Sequence, residues 1–353
     1  MKIFVLTIHN PNYSFGPHAR LQSFLNIPKD ENIEFQLPNF SKTHTKGKTL
    51  DVLIQSLGYL LSHRRKIDLI HVVTPPSFVG LIAVLAKKIL KIPYIVDVGD
   101  PSAENLLIMR GWKENSQSFK VAKAIDNTVY KNASHLVLTS PLLNKYVPTN
   151  IPQTTLLTAT KPKDKFITPN LQTNKKCVYL GNYGPLQKIE YILEVFEEAI
   201  KRDPSISLDI IGTGQIHKEL QETLPKNIRV LPAIPAKEIP KTIKNYSLGI
   251  VSLTLEKTLD YAVPTKVLTY LSEGLPVFGP GGAAIKEIVK SAQAGQISTE
   301  YNAKKDARHL SDLLNSSNQL KNHSKNAVQY AKKHLSEENF GRKASTIYKS
   351  SKN

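Results

Sequence analysis

Short apolar runs alternate with longer amphipathic ones along most of the chain. In the first half the runs KIFVLTI, IEFQLP, LIHVV, YIVDV, HLVLTS and TTLLTA are bounded by turn-forming residues, which predicts strands. Helical periodicity separates them over 50–64, 78–90 and 119–130, with Leu53, Leu57, Leu60 and Leu61 recurring at helical spacing. Such alternation predicts a parallel sheet with helices on both faces. The stretch 160–176 is rich in Lys, Pro and Thr, has no apolar period and reads as a linker. The rhythm then restarts. CVYLGN, LDIIGTG, IRVLPA, LGIVSL, PVFG and GQIST read as strands, and 187–201, 215–223 and 283–292 as helices. The tail, 303–350, is helical in pattern and basic.

At 353 residues the chain exceeds what one core usually supports. The expected fold class is therefore α/β with two Rossmann-like domains, 1–165 and 166–330, and a C-terminal helix over 331–353. The formal net charge of +18 calls for an anionic partner. The lysines are dispersed and no basic motif is interleaved with aromatics, which argues against nucleic acid. A phosphorylated small molecule or an anionic membrane surface remains, the latter facing the clusters at 62–66, 87–88 and the tail. The opening MKIFVLTIHN reads as a first strand rather than a leader. No stretch reaches the ~20 apolar residues of a spanning helix. A lone cysteine, Cys177, leaves no disulfide framework and no cysteine metal site. The expected setting is cytoplasmic, peripheral to the membrane if the basic surface is used. The sequence leaves the oligomeric state open.

Candidate chemistry concentrates where strands end. YLGNYGPLQK, IIGTGQIHKEL and VFGPGGAAIKEIV each place glycines between a strand and a helix, where free N–H groups and the helix dipole favour an anion. Strand C-termini of a parallel sheet share one edge, so these turns should converge. VPTKVLTYLSEGLPV adds a fourth. Pro264 suits an early helical position and Thr265 can cap through its hydroxyl. Lys266 then falls in the first turn, where a cation opposes the helix dipole unless an anion is bound. Upstream, Glu256 and Asp260 are candidates to accept hydrogen bonds from sugar hydroxyls. In the first half, Gly16 and Arg20 bracket a helix start that includes His18, and DVGDP (97–101) ends the fourth strand where the cleft should open, with Asp97 or Asp100 as the candidate to face it. The chain has no Asp-x-Asp triplet, no P-loop and no Gly-x-Ser-x-Gly elbow, so no metal ligand pair, NTPase or serine hydrolase is expected.

These strings, in this order, resemble the nucleotide-sugar-binding domain of retaining GT-B glycosyltransferases of the family-4 type (glycosyl transferases group 1). The carriers are YLGNYGPLQKIEYILEVFEEA, LDIIGTG, IRVLPAIPAKEIPKTIKNYSLGIVSL, VPTKVLTYLSEGLPVFGPGG and IKEIVKSAQAG. The first half matches through IVDVGDP and ASHLVLTS. The resemblance implies two domains facing a central cleft, an acceptor-side domain first, and C-terminal helices returning to it. It also implies sugar transfer from a nucleotide-diphosphate sugar to a glycan or lipid-linked acceptor, with retention and with neither metal nor cofactor. It places Thr265 and Lys266 on the donor diphosphate, Gly212 and Gly214 near the nucleotide, and Gly181 facing donor and acceptor. Gly281, Gly282 and Glu287 match the next loop and helix. The loop of Gly16, His18 and Arg20 would border the acceptor and the donor phosphates. Two departures stand out. Thr269 occupies the position of the family's ribose-binding glutamate. Asn182 and Gln187 replace an Arg and a Lys of the first Gly-rich loop, with Lys188 one step off. Lys266 is left as the main matched cation. An epimerase of the same fold and a catalytically degenerate binding protein are the alternative readings.

Overall fold

A computed structural model describes residues 1–9, 17–38, 48–162, 175–214 and 224–352. Contacts divide the chain into two units, Met1–Ala159 with Glu337–Asn353, and Thr160–Ser336. The boundaries expected after 165 and after 330 both fall inside the second unit. Thr160, where the linker was expected to start, already pairs with the second unit: its N–H donates to the Leu335 carbonyl at 2.8 Å. Residues 163–174 of that linker, the helix expected over 215–223, and Gly16 lie outside the described residues.

The first unit holds β1 (Lys2–Leu6), β2 (Glu34–Gln36), β3 (Leu69–Thr74), β4 (Tyr94–Val98), β5 (His135–Leu138) and β6 (Gln153–Thr155). They form one parallel sheet in the order β2-β1-β3-β4-β5-β6. Strands β3 and β4 are buried along their whole length, as near-continuous apolar runs require when both faces are covered. The helices are α1 (Pro17–Leu25), α2 (Lys48–His63), α3 (Leu81–Leu90), α4 (Ser102–Arg110) and α5 (Gln117–Lys131). Helix α2 packs beside α3, and α3 beside α5.

The second unit holds β7 (Lys176–Leu180), β8 (Ser207–Gly212), β9 (Ile228–Pro232), β10 (Leu248–Ile250), β11 (Val277–Pro280) and β12 (Gly295–Ser298). Their order is β12-β11-β10-β7-β8-β9, again all parallel. The chain runs outward from β7 through β8 to β9, then crosses back to place β10 on the other side of β7. The switch point therefore lies between β7 and β10, where ligands settle in open α/β sheets. The helices are α6 (Ile189–Arg202), α7 (Ile239–Ile243), α8 (Thr265–Glu273), α9 (Ala283–Ala292), α10 (Ala303–Asn315) and α11 (Ser317–His334). The core packs Tyr179, Ile192, Phe196, Leu208, Ile250 and Leu310 together.

The last helix, α12 (Glu337–Ser351), belongs to the first unit. It buries Phe340, Ile347 and Tyr348 against Ile3, Phe24, Leu69 and Ile95. No helix of the described residues is long and apolar enough to cross a membrane.

Candidate functional site

Four turns meet at the C-terminal edge of the second sheet. After β7 the chain turns at Gly181 with φ +98°, a left-handed conformation that glycine adopts without strain. The N–H of Gly181 donates to the Ile211 carbonyl at 2.9 Å, and that of Tyr183 to the Thr213 carbonyl at 3.0 Å. The two Gly-rich turns are thus zipped backbone to backbone. A Cβ on Gly212 would stand 1.9 Å from the Gly181 carbonyl oxygen, and one on Gly214 2.2 Å from that of Tyr183. Close chain approach is reason enough for both glycines. Asn182 is exposed, with its Oδ1 accepting from the Thr213 hydroxyl at 2.7 Å. Gln187 turns back on its own loop and accepts the Gly184 N–H at 2.8 Å.

Helix α8 begins beside this edge. Pro264 is its N-cap residue, and no side chain caps the helix, so the expected capping by the Thr265 hydroxyl is corrected. Thr265 is the first helical residue and its carbonyl accepts from Thr269 Oγ1 at 3.1 Å. No acid lies in the first turn. The leading N–H groups of α8 therefore have no side-chain acceptor, and their partial positive charge is uncompensated.

Into that field the chain places Lys266. Its stem is partly exposed, but Nζ is shielded and makes no hydrogen bond. Nζ sits 3.5 Å from the ring centroid of Tyr179 and lies beside Gly181, where a Cβ would be in ordinary contact with it at 3.9 Å. Ring quadrupole attraction offsets part of the lost hydration. Burial nonetheless pulls the ammonium down to a pKa of about 7. Two further buried polar atoms on the preceding loop, Oγ1 of Thr254 and of Thr258, also lack a partner. Such unanswered groups are rare in a folded interior and mark a place built for something else.

Tyr270 fixes α8 at the switch point. Its ring packs on β10, where a Cβ on Gly249 would be 2.6 Å from it. Its hydroxyl accepts the Leu180 N–H at 2.8 Å and reaches the Ile250 carbonyl at 3.2 Å. One side chain thus ties β7, β10 and α8 together. Neither Tyr179 nor Tyr270 stands out in the sequence. The available signal is Gly249, a glycine inside a strand, which marks a close approach.

The remaining candidates divide. Lys188 adopts φ +34°, and its Nζ lies 3.7 Å from the ring centroid of Tyr301. Glu256 is exposed on the loop before α8. Asp260 caps α9: its Oδ1 accepts the Ala283 N–H at 3.3 Å and its carbonyl the Ala284 N–H at 2.8 Å. Gly282 packs on Asp260, and a Cβ there would stand 2.9 Å from the Asp260 Cα. Gly281 donates to the Ser298 carbonyl at 3.0 Å, and Glu287 is exposed and accepts from the Ser291 hydroxyl.

In the first unit, Arg20 and Asp97 are joined in a buried ion pair at 2.7 Å. The guanidinium also donates to the Leu156 carbonyl and lies against the rings of Phe24 and Phe340. Both groups are engaged in internal structure, where they tie α1, β4 and α12 together. Asp100 is half-buried beyond the end of β4. His18 stands edge-on to His9, ring centroids 5.4 Å apart.

Comparison with known proteins places this arrangement. Residues 160–334 match the family described as glycosyl transferases group 1. No curated protein matches the chain by sequence. Sucrose-phosphate synthase from Thermosynechococcus elongatus superimposes with a TM-score of 0.74 at 13% identity, over 99% of this chain and 98% of that one. HepE from Anabaena, solved with UDP and glucose, does so with a TM-score of 0.71 at 12% identity, over 99% and 100%. WaaG, a glycosyltransferase involved in lipopolysaccharide biosynthesis, gives 0.69 at 13% identity, over 99% of each chain. The shared architecture is the GT-B fold.

Proposed function

Given that this chain belongs, through residues 160–334, to glycosyl transferases group 1 and is a glycosyltransferase, we propose that it takes its sugar from a nucleotide-diphosphate donor held at the start of α8. The observation that carries the reading is Lys266, a shielded ammonium without a partner at an uncapped helix N-terminus. A donor diphosphate answers both unsatisfied features at once. HepE was solved with UDP, which makes uridine the first base to test.

In this reading the bond between the anomeric carbon and the diphosphate oxygen breaks, and an acceptor hydroxyl oxygen takes the carbon. The hydroxyl proton leaves with the diphosphate. Lys266 and the N–H groups of α8 stabilise the negative charge that develops on the leaving group, and this preorganised field supplies the main catalytic effect. We assign no metal or cofactor to the reaction. Retention at the anomeric carbon and a glycan or lipid-linked acceptor follow from the family resemblance. Thr269, three residues after Lys266, takes the ribose with a neutral hydroxyl.

Titration calorimetry with uridine, guanosine and adenosine diphosphates tests the assignment. A charge-assisted contact contributes ~1.5–3 kcal/mol, so Lys266→Ala should weaken the preferred diphosphate by roughly ten- to a hundredfold. Thr269→Glu should tighten it by adding an ionised ribose acceptor. Unchanged affinity in Lys266→Ala would remove the diphosphate from this helix.

A further inference from the structure

The first unit exposes large apolar side chains on one helical layer. On α2, Leu50, Ile54, Leu57 and Leu61 stand at i, i+4, i+7 and i+11, and all four are exposed, Ile54 to 61%. At about 100° per residue they fall within an arc of roughly 60°. The other side of the helix carries Val52, Ser56 and Leu60, which are buried. Helix α2 thus has two apolar faces, and the fold covers one. On the neighbouring α3, Leu85 and Ile89 repeat the pattern at i and i+4, Ile89 being 70% exposed. Val121 continues it on α5. Among the described residues, the exposed large hydrophobics lie in this unit with the sole exception of Tyr301.

Bases gather at one end of the layer. Helices α2 and α3 lead into β3 and β4, which are parallel neighbours, so both helix C-termini reach the same sheet edge. Arg64, Arg65 and Lys66 follow α2, and Lys88 and Lys91 close α3; all five are exposed. Lys87 turns inward instead and donates to the Asn132 carbonyl. The acids between 48 and 91 are Asp51 and Asp68, and Asp68 is engaged by Lys352 and the Lys2 N–H.

We propose that this face docks on an anionic lipid bilayer, with the Leu and Ile rows entering the headgroup boundary and the five bases meeting lipid phosphates. An apolar stripe bordered by lysine and arginine is the composition of an interfacial helix. The long stems of the bases lie along apolar surface while their charges reach the headgroups. Charge decides against a second copy of this chain as the occupant. Pairing two such faces would bring like bases together on a molecule of net charge +18. The inference does not depend on the donor reading of the second unit.

Co-sedimentation of the full chain with vesicles tests it. Binding is expected to phosphatidylcholine vesicles containing phosphatidylglycerol, to be weak on phosphatidylcholine alone, and to fall as salt rises. Arg64→Ser, Arg65→Ser and Lys66→Ser together should weaken it by about a hundredfold, from roughly fivefold per base. Ile54→Ser with Leu61→Ser should weaken it at least tenfold with the melting temperature unchanged, since both side chains are exposed. No binding to anionic vesicles, or binding that ignores these substitutions, overturns the proposal. So does a dimer seen by light scattering that the Ile54→Ser, Leu61→Ser variant abolishes, because the face would then belong to a second copy.

Discussion

An ammonium stripped of water destabilises its surroundings unless something answers its charge. Lys266, lowered to about 7 by burial, is in that position until an anion arrives. Binding of a diphosphate should return it toward the ordinary lysine range near ~10.4 and take up a proton as it does so. Affinity should therefore be greatest near pH 7, where Lys266 can still take up its proton readily, and fall roughly tenfold per pH unit above it. The ligand does not produce this slope, because a phosphate's second pKa of about 6 leaves it fully ionised there. Without ligand the linkage runs the other way. Folded Lys266 holds fewer protons than an unfolded lysine between about 7 and 10.4, so its destabilising effect fades as pH climbs through that window. Calorimetry from pH 6 to 9 checks the binding profile. Lys266→Arg, charged throughout, should flatten it, and a flat wild-type profile would refute the linkage. The sequence already marked this lysine, because a cation in a helix's first turn contradicts the helix dipole. It could not reveal Tyr179 beneath it. It also offered Arg20, and Asp97 or Asp100, as site candidates, because a sequence does not show that an arginine on α1 and an aspartate within β4 are buried against each other.

At the scale of elements, what positions the site is the tie between α8 and the strands on either side of the switch point. Tyr270 makes that tie, so Tyr270→Phe should leave the Leu180 N–H buried without its acceptor. The cost is about 1–3 kcal/mol. In a unit of this size that lowers the melting temperature by roughly 2–4 °C per kcal/mol. Gly249→Ala should act on function instead, because a methyl 2.6 Å from the Tyr270 ring has to displace α8. Uridine diphosphate affinity should drop in Gly249→Ala by more than in Tyr270→Phe, and equal losses would show that α8 is not held by this contact. Most elements were legible because their apolar runs have a clear period. Helix α9 matches the expected 283–292. Helix α4 was not anticipated: its apolar residues Leu106, Leu107, Ile108 and Met109 fall consecutively and define no face. The outer row of α2 was visible only as leucines at helical spacing. Periodicity alone does not say which of two apolar faces the fold will cover.

At the scale of the whole molecule, the chain closes its first unit with its last helix, after the entire second unit has been laid down. The sequence rhythm showed a helical tail and the resemblance implied its return, but the residues that hold it emerge only from the fold. Tyr348 is fully buried, and its hydroxyl meets Nδ1 of His71 at 2.8 Å. His71 lies next to Phe24, and burial lowers its pKa to about 4, so it is neutral at pH 7. Tyr348→Ala removes a core aromatic, which costs ~3–5 kcal/mol. That loss should fall on the first unit alone, because α12 makes its buried contacts there. Scanning calorimetry should then resolve two transitions, the lower one moved down by the substitution. Uridine diphosphate at about a hundred times its Kd should raise the other by the equivalent of ~2.7 kcal/mol and leave the lowered one in place. Acid separates them further. His71 must gain a proton on unfolding below about pH 6.5, so the first unit should lose stability as pH falls from there through about 4. If the ligand raised both transitions together, or Tyr348→Ala weakened uridine diphosphate binding directly, the two units could not be the independent folding bodies that their separate sheets and cores indicate.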